Sequence, residues 1–231
     1  MAPPERERST PIVCGHRGAP AIMPENTLAG FAAAADRGAT WVEFDVRPTG
    51  DGQLAIHHDP VTAHGIRLAS TNYAELDPSI PRFRDLVAAQ PGLGLDIEMK
   101  TDDIDMSLGA FAELVVEEVD AHCSSSTEVM VTSFDVDALR LVRELRPHYA
   151  TGLLFWKTSV DRALATAVDD GHGAIAPWIK LLNAELVDKA RQASLGVVTW
   201  TVNEADQVAL ASSLGVDMII GDDPAVIIEN R

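Results

Sequence analysis

Two kinds of segment alternate along almost the whole chain. Short, mostly apolar runs are each followed by a longer stretch in which apolar residues recur every three or four positions. In residues 27–38, for example, Leu28, Phe31 and Ala35 share one face of a helix. The apolar runs therefore predict β-strands, and the periodic stretches predict amphipathic α-helices.

The alternation amounts to eight strand–helix units, and the pattern marks the helix in seven of them. The predicted strands cover residues 11–15, 40–46, 92–100, 128–134, 149–155, 173–178, 195–202 and 216–220. The predicted helices cover residues 27–38, 107–122, 135–145, 159–170, 183–194, 204–215 and 223–230. A hairpin arm at residues 51–58 is expected to follow the second strand through a glycine-containing turn.

Most of these strands are apolar throughout rather than at alternate positions. Such strands are buried on both faces, as in parallel sheets, and eight βα units close most simply into a barrel. We therefore predict an α/β fold, a single (β/α)8 TIM barrel, with a doubly wound open sheet as the competing topology. The predicted domain spans residues 11–231 after a flexible, proline-rich segment 1–10. Residues 59–91 are predicted to form a short insertion after strand 2 that partly covers the barrel mouth.

Composition narrows the possible partners. The 231 residues include 35 acidic and 18 basic side chains, a net charge of -17, which disfavours binding to nucleic acid. The two cysteines, Cys14 and Cys123, are too few for a disulfide framework and are expected to be reduced thiols. Without an apolar leader or a long apolar run, the sequence predicts a cytoplasmic protein with no stable membrane insertion.

Carboxylates lie near the ends of two predicted strands. Glu43 and Asp45 are two residues apart and share one strand face, and Glu98 ends the next strand of the barrel. Active sites of TIM barrels lie at the carboxyl ends of the strands, so the three acids can meet there. A divalent cation, Ca²⁺ or Mg²⁺, would neutralise their repulsion. The alternative is that each acid pairs with a nearby arginine or lysine.

Basic and aromatic residues follow other strand ends. His16 and His58 each adjoin a strand end and a charged neighbour, which suits acid–base catalysis near neutral pH. Arg17 and Lys100 can supply positive charge to a phosphate. Trp200, at the end of strand seven, either packs in the core or offers an apolar wall to a substrate.

An ordered set of motifs carries a family resemblance over residues 12–226. The motifs are "GHRG", "PENT", "EFDV", "TGDG" and "HHDP" at the start, then "DIEMK", "SFD", "WTVN" and "GVDMIIGDDP". Together, in this order, they strongly resemble the glycerophosphodiester phosphodiesterases. Departures from the pattern include Gly221, where the family often has threonine, and the runs at residues 39–41 and 80–87. None of these departures falls on a proposed catalytic group.

The resemblance implies a TIM barrel that hydrolyses a glycerophosphodiester to glycerol 3-phosphate and an alcohol, a phosphoric diester hydrolase. It implies that Glu43, Asp45 and Glu98 bind the divalent cation and that His16 and His58 are the acid–base pair. It also implies that Arg17 and Lys100 hold the phosphate and that Trp200 lines the glycerol pocket. It leaves open the ion, the alcohol, the order in which the histidines act and the oligomeric state. Attack by the glycerol 2-hydroxyl, giving a cyclic phosphate, and direct attack by water both remain possible.

Two alternatives stand beside this function. Hydrolysis of lysophospholipids at a membrane surface requires an exposed apolar rim or a basic patch near the mouth, and the acidic composition opposes it. A non-catalytic phosphodiester-binding barrel is disfavoured because a competent residue occupies every proposed catalytic position.

Overall fold

Eight parallel strands close into a barrel in the computed structural model of the chain, which describes residues 10–90 and 92–231. Apart from Thr10, the predicted N-terminal segment lies outside the described residues. The strands are β1 (Ile12–Gly15), β2 (Trp41–Pro48), β3 (Leu54–Ile56), β4 (Gly94–Met99), β5 (Val129–Ser133), β6 (Ala150–Phe155), β7 (Ala174–Pro177), β8 (Gly196–Thr199) and β9 (Met218–Gly221).

The pairing of β1 closes the barrel. This strand pairs in parallel with both β2 and β9, so the order β1-β9-β8-β7-β6-β5-β4-β2 returns to its start. The short β3 adds an antiparallel arm to β2, with Val46 opposite Ile56. The predicted (β/α)8 barrel is therefore confirmed, and the open-sheet alternative is wrong.

Helices connect the parallel strands on the outside of the barrel. They are α1 (Leu28–Asp36), α2 (Phe83–Ala89), α3 (Leu108–His122), α4 (Val136–Leu145), α5 (Val160–Asp169), α6 (Ala184–Gln192), α7 (Ala205–Leu214) and α8 (Pro224–Asn230). Side-chain caps fix several helix starts: the Thr27 hydroxyl accepts from the Gly30 amide, and Asp135 accepts from two amides of α4. None of the described helices is long and apolar enough to cross a membrane.

Strand β2 shows how the barrel positions its polar groups. All eight of its residues are buried, so both faces of the strand are covered. Val42 and Phe44 belong to the large core between strands and helices. Trp41 belongs to a smaller apolar cluster with residues of β5 to β9. Because successive side chains point to opposite faces, Glu43 and Asp45 share the interior face with Trp41.

The segment after β3 differs from a plain insertion. It contains α2, which the sequence analysis did not predict because only seven residues form it. Ahead of α2, Leu68, Leu76 and Ile80 pack on Ala55 of β3. Arg67 pairs with two aspartates of the loop after β4. None of the described residues 59–90 lines the central cavity.

Candidate active site

A cavity of about 390 Å³ opens at the carboxyl ends of the barrel strands. Its lining has a polar side and an apolar side. The polar side consists of His16, Arg17, Glu43, His58, Asp96, Glu98, Lys100 and Thr132. The apolar side consists of Phe134, Leu154, Trp156, Trp178, Trp200 and Ile220. Seven of the eight residues predicted from the sequence therefore line one cavity, and Asp45 lies buried directly beside them.

Three carboxylates converge on the polar side. Glu43, Asp45 and Glu98 each offer an oxygen within 4.8 Å of the others. Glu43 Oε1 and Asp45 Oδ1 are buried and have no hydrogen-bond partner in the part of the chain that the structure describes. Burial, followed by the charges of Asp45 and Glu98, raises the pKa of Glu43 well above its ordinary value. A buried set of oxygen-only ligands with unpartnered atoms fits a hard divalent cation such as Ca²⁺ or Mg²⁺.

The same acids also have basic partners. Lys100 Nζ lies 2.8 Å from Glu98 Oε1 and 3.7 Å from Asp45 Oδ1. Arg17 Nε lies 3.2 Å from Asp45 Oδ2. Burial opposes the charge of Lys100, but Glu98 and Asp45 outweigh it and raise the pKa of the lysine. The three acids thus converge at one place, where Asp45 and Glu98 also pair with basic side chains.

The turn after β1 explains the "GHRG" motif. Arg17 adopts a positive φ of 49°, which aims its backbone N–H at Glu43 Oε2, 2.9 Å away. Its guanidinium Nη1 also donates to both carboxylate oxygens of Glu25 at 3.1 Å. A Cβ atom on Gly18 would lie 2.6 Å from the carbonyl carbon of Gly30 in α1. Only glycine lets this turn approach the helix so closely.

His16 is held by a residue from the far end of the chain. Its Nδ1 lies 2.6 Å from Asp222 Oδ1, and its Nε2 lies 4.0 Å from Glu43 Oε2. Because a carboxylate only accepts, Nδ1 carries the proton and Nε2 is left for the cavity. Asn203 fixes Asp222, since its Nδ2 donates to Asp222 Oδ2 at 2.6 Å and its Oδ1 accepts from the Asp222 amide at 2.9 Å. Burial opposes the charge of Asp222, yet these donors hold its pKa below the usual range.

His58 repeats this arrangement across the site. Its Nδ1 lies 2.7 Å from Asp59 Oδ1, so its Nε2 is likewise free. Arg47 Nε donates to the His58 carbonyl at 2.7 Å and anchors the loop. Burial lowers the pKa of His58, and the charge of Asp45 opposes that shift. The neighbouring His57 turns away from the cavity and bonds the Asp59 carbonyl with its Nδ1.

Four polar residues of the site were missed by the sequence analysis: Asn26, Asp96, Asn203 and Asp222. Asn26 is buried rather than a helix cap, and its Nδ2 donates to Asp45 Oδ2 at 2.9 Å. Burial raises the pKa of Asp96 to about 7, although Thr132 donates to it at 2.8 Å. Its position two residues before Glu98, on the same strand face, was an available signal.

Aromatic rings form the apolar side of the cavity in two pairs. Phe134 and Trp200 meet edge to face with ring centroids 5.5 Å apart, and Trp156 and Trp178 do so at 6.4 Å. Trp200 Nε1 donates to the Ala176 carbonyl at 2.8 Å, which fixes its indole ring. Trp156 is 47% exposed and Phe134 is 41% exposed, so these two rings stand at the mouth.

The sequence of the chain is similar to those of known phosphodiesterases. The family model described as the glycerophosphoryl diester phosphodiesterase family matches residues 16–226. A glycerophosphodiester phosphodiesterase of Caldanaerobacter subterraneus subsp. tengcongensis is 25% identical over 94% of this chain and 96% of its own length. One from Bacillus altitudinis is 27% identical over 92% of this chain and 94% of its own.

Solved structures show the same fold. An Oleispira antarctica phosphodiesterase, solved in complex with the product sn-glycerol-3-phosphate, superposes with a TM-score of 0.86 at 24% identity, over 96% of both chains. A glycerophosphodiester phosphodiesterase of Thermotoga maritima superposes with a TM-score of 0.82 at 22% identity, over 96% of this chain and 99% of that one. With a family model that matches most of its length, the chain belongs to the glycerophosphoryl diester phosphodiesterase family.

Proposed function

We propose that this chain hydrolyses glycerophosphodiesters to glycerol 3-phosphate and an alcohol, with a divalent cation held by Glu43, Asp45 and Glu98. The observation that carries the proposal is the pair of buried oxygens, Glu43 Oε1 and Asp45 Oδ1, which accept no hydrogen bond from the described residues and lie beside two cationic side chains. A divalent cation bound there supplies positive charge that polarises a phosphoryl oxygen. Family membership supports the class of reaction.

Arg17 and Lys100 bind the phosphate in this proposal. A phosphodiester resists attack because its negative charge repels nucleophiles, and charge on its oxygens grows towards the transition state. Arg17 offers a planar fork of N–H donors, and Lys100 a point charge. Both are already oriented by carboxylates, Arg17 by Glu25 and Lys100 by Glu98, so little reorganisation is needed when substrate enters.

His16 and His58 exchange the protons. One Nε2 takes the proton of the attacking oxygen while a new oxygen–phosphorus bond forms. The other Nε2, protonated beforehand, gives its proton to the alkoxide as the ester bond breaks. Asp222 and Asp59 hold the two rings by Nδ1, which leaves each Nε2 to exchange a proton. The attacking oxygen is either the glycerol 2-hydroxyl, giving a cyclic phosphate that water opens, or water itself.

Trp200 lines the glycerol side of the substrate. The ring is fixed by its bond to the Ala176 carbonyl and by Phe134, so it presents a rigid apolar wall to the glycerol carbons. The proposed partner is a small-molecule diester. Because Cys14 and Cys123 are both free thiols, the proposal includes a reducing, cytoplasmic setting.

Hydrolysis of lysophospholipids is a second candidate function, and one observation favours it. That function requires an exposed apolar rim at the mouth, and the exposed rings of Phe134 and Trp156 provide one. Co-sedimentation with liposomes, together with turnover of lysophosphatidylcholine, tests it. Failure of both measurements removes this candidate.

Turnover by variants of the polar side tests the main proposal. His16→Ala and Glu43→Gln are expected to lose release of glycerol 3-phosphate while circular dichroism and the elution volume stay those of the wild type. Retained turnover in both variants would place the reaction elsewhere. Binding of a diester without any turnover, across several divalent ions, would instead favour the non-catalytic barrel.

A further inference from the structure

Two lysines lie over the rings of tryptophans that line the apolar side of the cavity. Lys157 Nζ lies 4.0 Å from the centroid of Trp156, and Lys180 Nζ lies 4.7 Å from that of Trp178. Both tryptophans line the cavity, and their rings contact each other edge to face. We call these four residues the lysine–tryptophan rim. The face of an indole ring attracts a cation at such a distance. A cation–π contact with the tryptophan therefore stabilises the position of each lysine ammonium group.

Neither lysine of the rim pairs with a carboxylate of the described residues. The chain has four lysines. Its acidic residues outnumber its basic residues by 35 to 18. Lys100 pairs with Glu98, and Lys189 pairs with two carboxylates. Within residues 10–90 and 92–231, Lys157 and Lys180 make no ion pair. Two uncompensated positive charges at one edge of a strongly acidic molecule leave a place that favours an anion.

The rim and the acids of the cavity come from different strands. The lining carboxylates Glu43, Asp96 and Glu98 come from the neighbouring strands β2 and β4. The rim follows β6 and β7, and β5 stands between β6 and β4 in the barrel. The rim residues are therefore not on the strands that carry the acids.

Glycerol against Trp200, as in the proposed function, leaves the alcohol towards the mouth of the cavity. Trp200 contacts Phe134 and donates to the Ala176 carbonyl, whereas Trp156 is 47% exposed at the mouth. An alcohol at the mouth is thus near the indole rings of Trp156 and Trp178, on which the two ammonium groups lie. A choline or ethanolamine cation would find those rings already covered by lysines and would be repelled.

We propose that the lysine–tryptophan rim selects glycerophosphodiesters whose alcohol carries a negative charge over those whose alcohol is neutral or cationic. The inference rests on the proposed hydrolysis of glycerophosphodiesters and names the substrate class of that same site. Lys157 and Lys180 are specificity-determining residues in it. They do not touch the reacting atoms.

Three diesters that differ in the charge of the alcohol test the proposal. They are glycerophosphoinositol 4-phosphate (anionic), glycerophosphoinositol (neutral) and glycerophosphocholine (cationic). For the wild type, kcat/KM is expected to fall in that order, and the advantage of the phosphorylated inositol to shrink as salt is raised. Changing Lys157 and Lys180 together to Gln is expected to cut that advantage by roughly three- to fivefold per lysine, the effect of a unit charge at close range in water.

Lys189→Gln is the matched control, because Lys189 is an exposed lysine on α6 that pairs with Asp161 and Glu185 and not with a tryptophan of the cavity, and it should leave all three values unchanged. Glycerophosphocholine as the preferred substrate, or an unchanged preference in the double variant together with no effect of salt, overturns the inference but leaves the proposed function standing. Absence of glycerol 3-phosphate from all three diesters overturns the proposed function and the inference with it.

Discussion

Nδ1 of His16 lies 2.6 Å from Oδ1 of Asp222, although 206 positions separate the two residues in the chain. The pairing of β1 with β9, in which Gly15 lies opposite Gly221, puts the residues that follow both strands side by side. The proposed acid–base group is thus assembled by closure of the barrel. Any change that loosens this pairing is expected to act on His16.

Asp222→Asn tests the orientation of that histidine. An amide offers Nδ1 a weaker acceptor or a donor, so the imidazole loses the tautomer that leaves Nε2 free for the cavity. We expect kcat/KM to drop by roughly 10²- to 10⁴-fold, the range found when a carboxylate behind a catalytic histidine is replaced. The pH profile of kcat/KM should shift as well, which a purely structural role of Asp222 would not produce.

The neighbouring Asp223 provides the control for that change. It pairs with Arg37 and caps α8, and it does not contact His16. Asp223→Asn is expected to lower the melting temperature slightly and to leave the pH profile in place. Equal losses of kcat/KM in the two variants would show that Asp222 has no special role.

Binding of a divalent cation should stabilise the fold. A ligand at about 100 times its Kd adds about 2.7 kcal/mol, which corresponds to roughly 5–10 °C for a domain of this size. We expect Ca²⁺ or Mg²⁺ to raise the melting temperature of metal-free protein, and Glu43→Gln with Asp45→Asn to abolish the rise. Differential scanning fluorimetry measures it. Glu185→Gln, which alters an exposed acid on α6, should keep the full shift.

Asp96 is expected to make the metal-free protein less stable as pH rises. Its folded-state pKa of about 7 lies above the ordinary aspartate value, so the folded form binds its proton more tightly than the unfolded chain does. Stability therefore falls between about pH 4 and pH 7, by up to about 4 kcal/mol from this group. Asp96→Asn should be more stable than the wild type at pH 8 and gain little at pH 4.5.

Urea denaturation in EDTA at the two pH values makes that comparison. The pKa values of Glu43 and Glu98 are also raised, chiefly by burial, and these groups act in the same direction in both proteins. An identical gain for Asp96→Asn at pH 4.5 and pH 8 would mean that Asp96 does not titrate in this range.

Substitution of Gly18 tests the turn after β1, and substitution of Gly52, between β2 and β3, is the control. Both have positive φ, 90° and 72°, so an alanine is strained at either place. At Gly18 the new Cβ would also meet the Gly30 backbone at 2.6 Å, whereas at Gly52 nothing lies within 4 Å. We expect Gly52→Ala to cost about 1 kcal/mol and Gly18→Ala several times more, with loss of activity. Similar unfolding midpoints in urea for the two variants would contradict a tight approach of the turn to α1.

Much of the fold and of the polar site could be predicted because local patterns carry it. The alternation in β2 places Glu43 and Asp45 on one face, and the apolar runs mark every barrel strand. Partners that meet only through closure of the barrel leave no local trace. Asn203 lies beyond β8 and Asp222 directly after β9, and nothing near either residue in the sequence points to His16. The short α2 was missed for a different reason, since seven residues carry too little periodicity to stand out.

The surroundings of Trp156 also left no trace in the sequence. Nearly half of its surface is open. Its ring contacts Lys157 and the edge of Trp178. The adjacent "WK" pair in the sequence gives no indication of whether such a side chain turns into the protein or towards the mouth.

Release of glycerol 3-phosphate by metal-stripped protein tests the central claim most directly. With a glycerophosphodiester as substrate, we expect no release in EDTA and full release once Mg²⁺ or Ca²⁺ is restored, because Glu43, Asp45 and Glu98 would otherwise repel the phosphate. Undiminished release in EDTA would contradict the account.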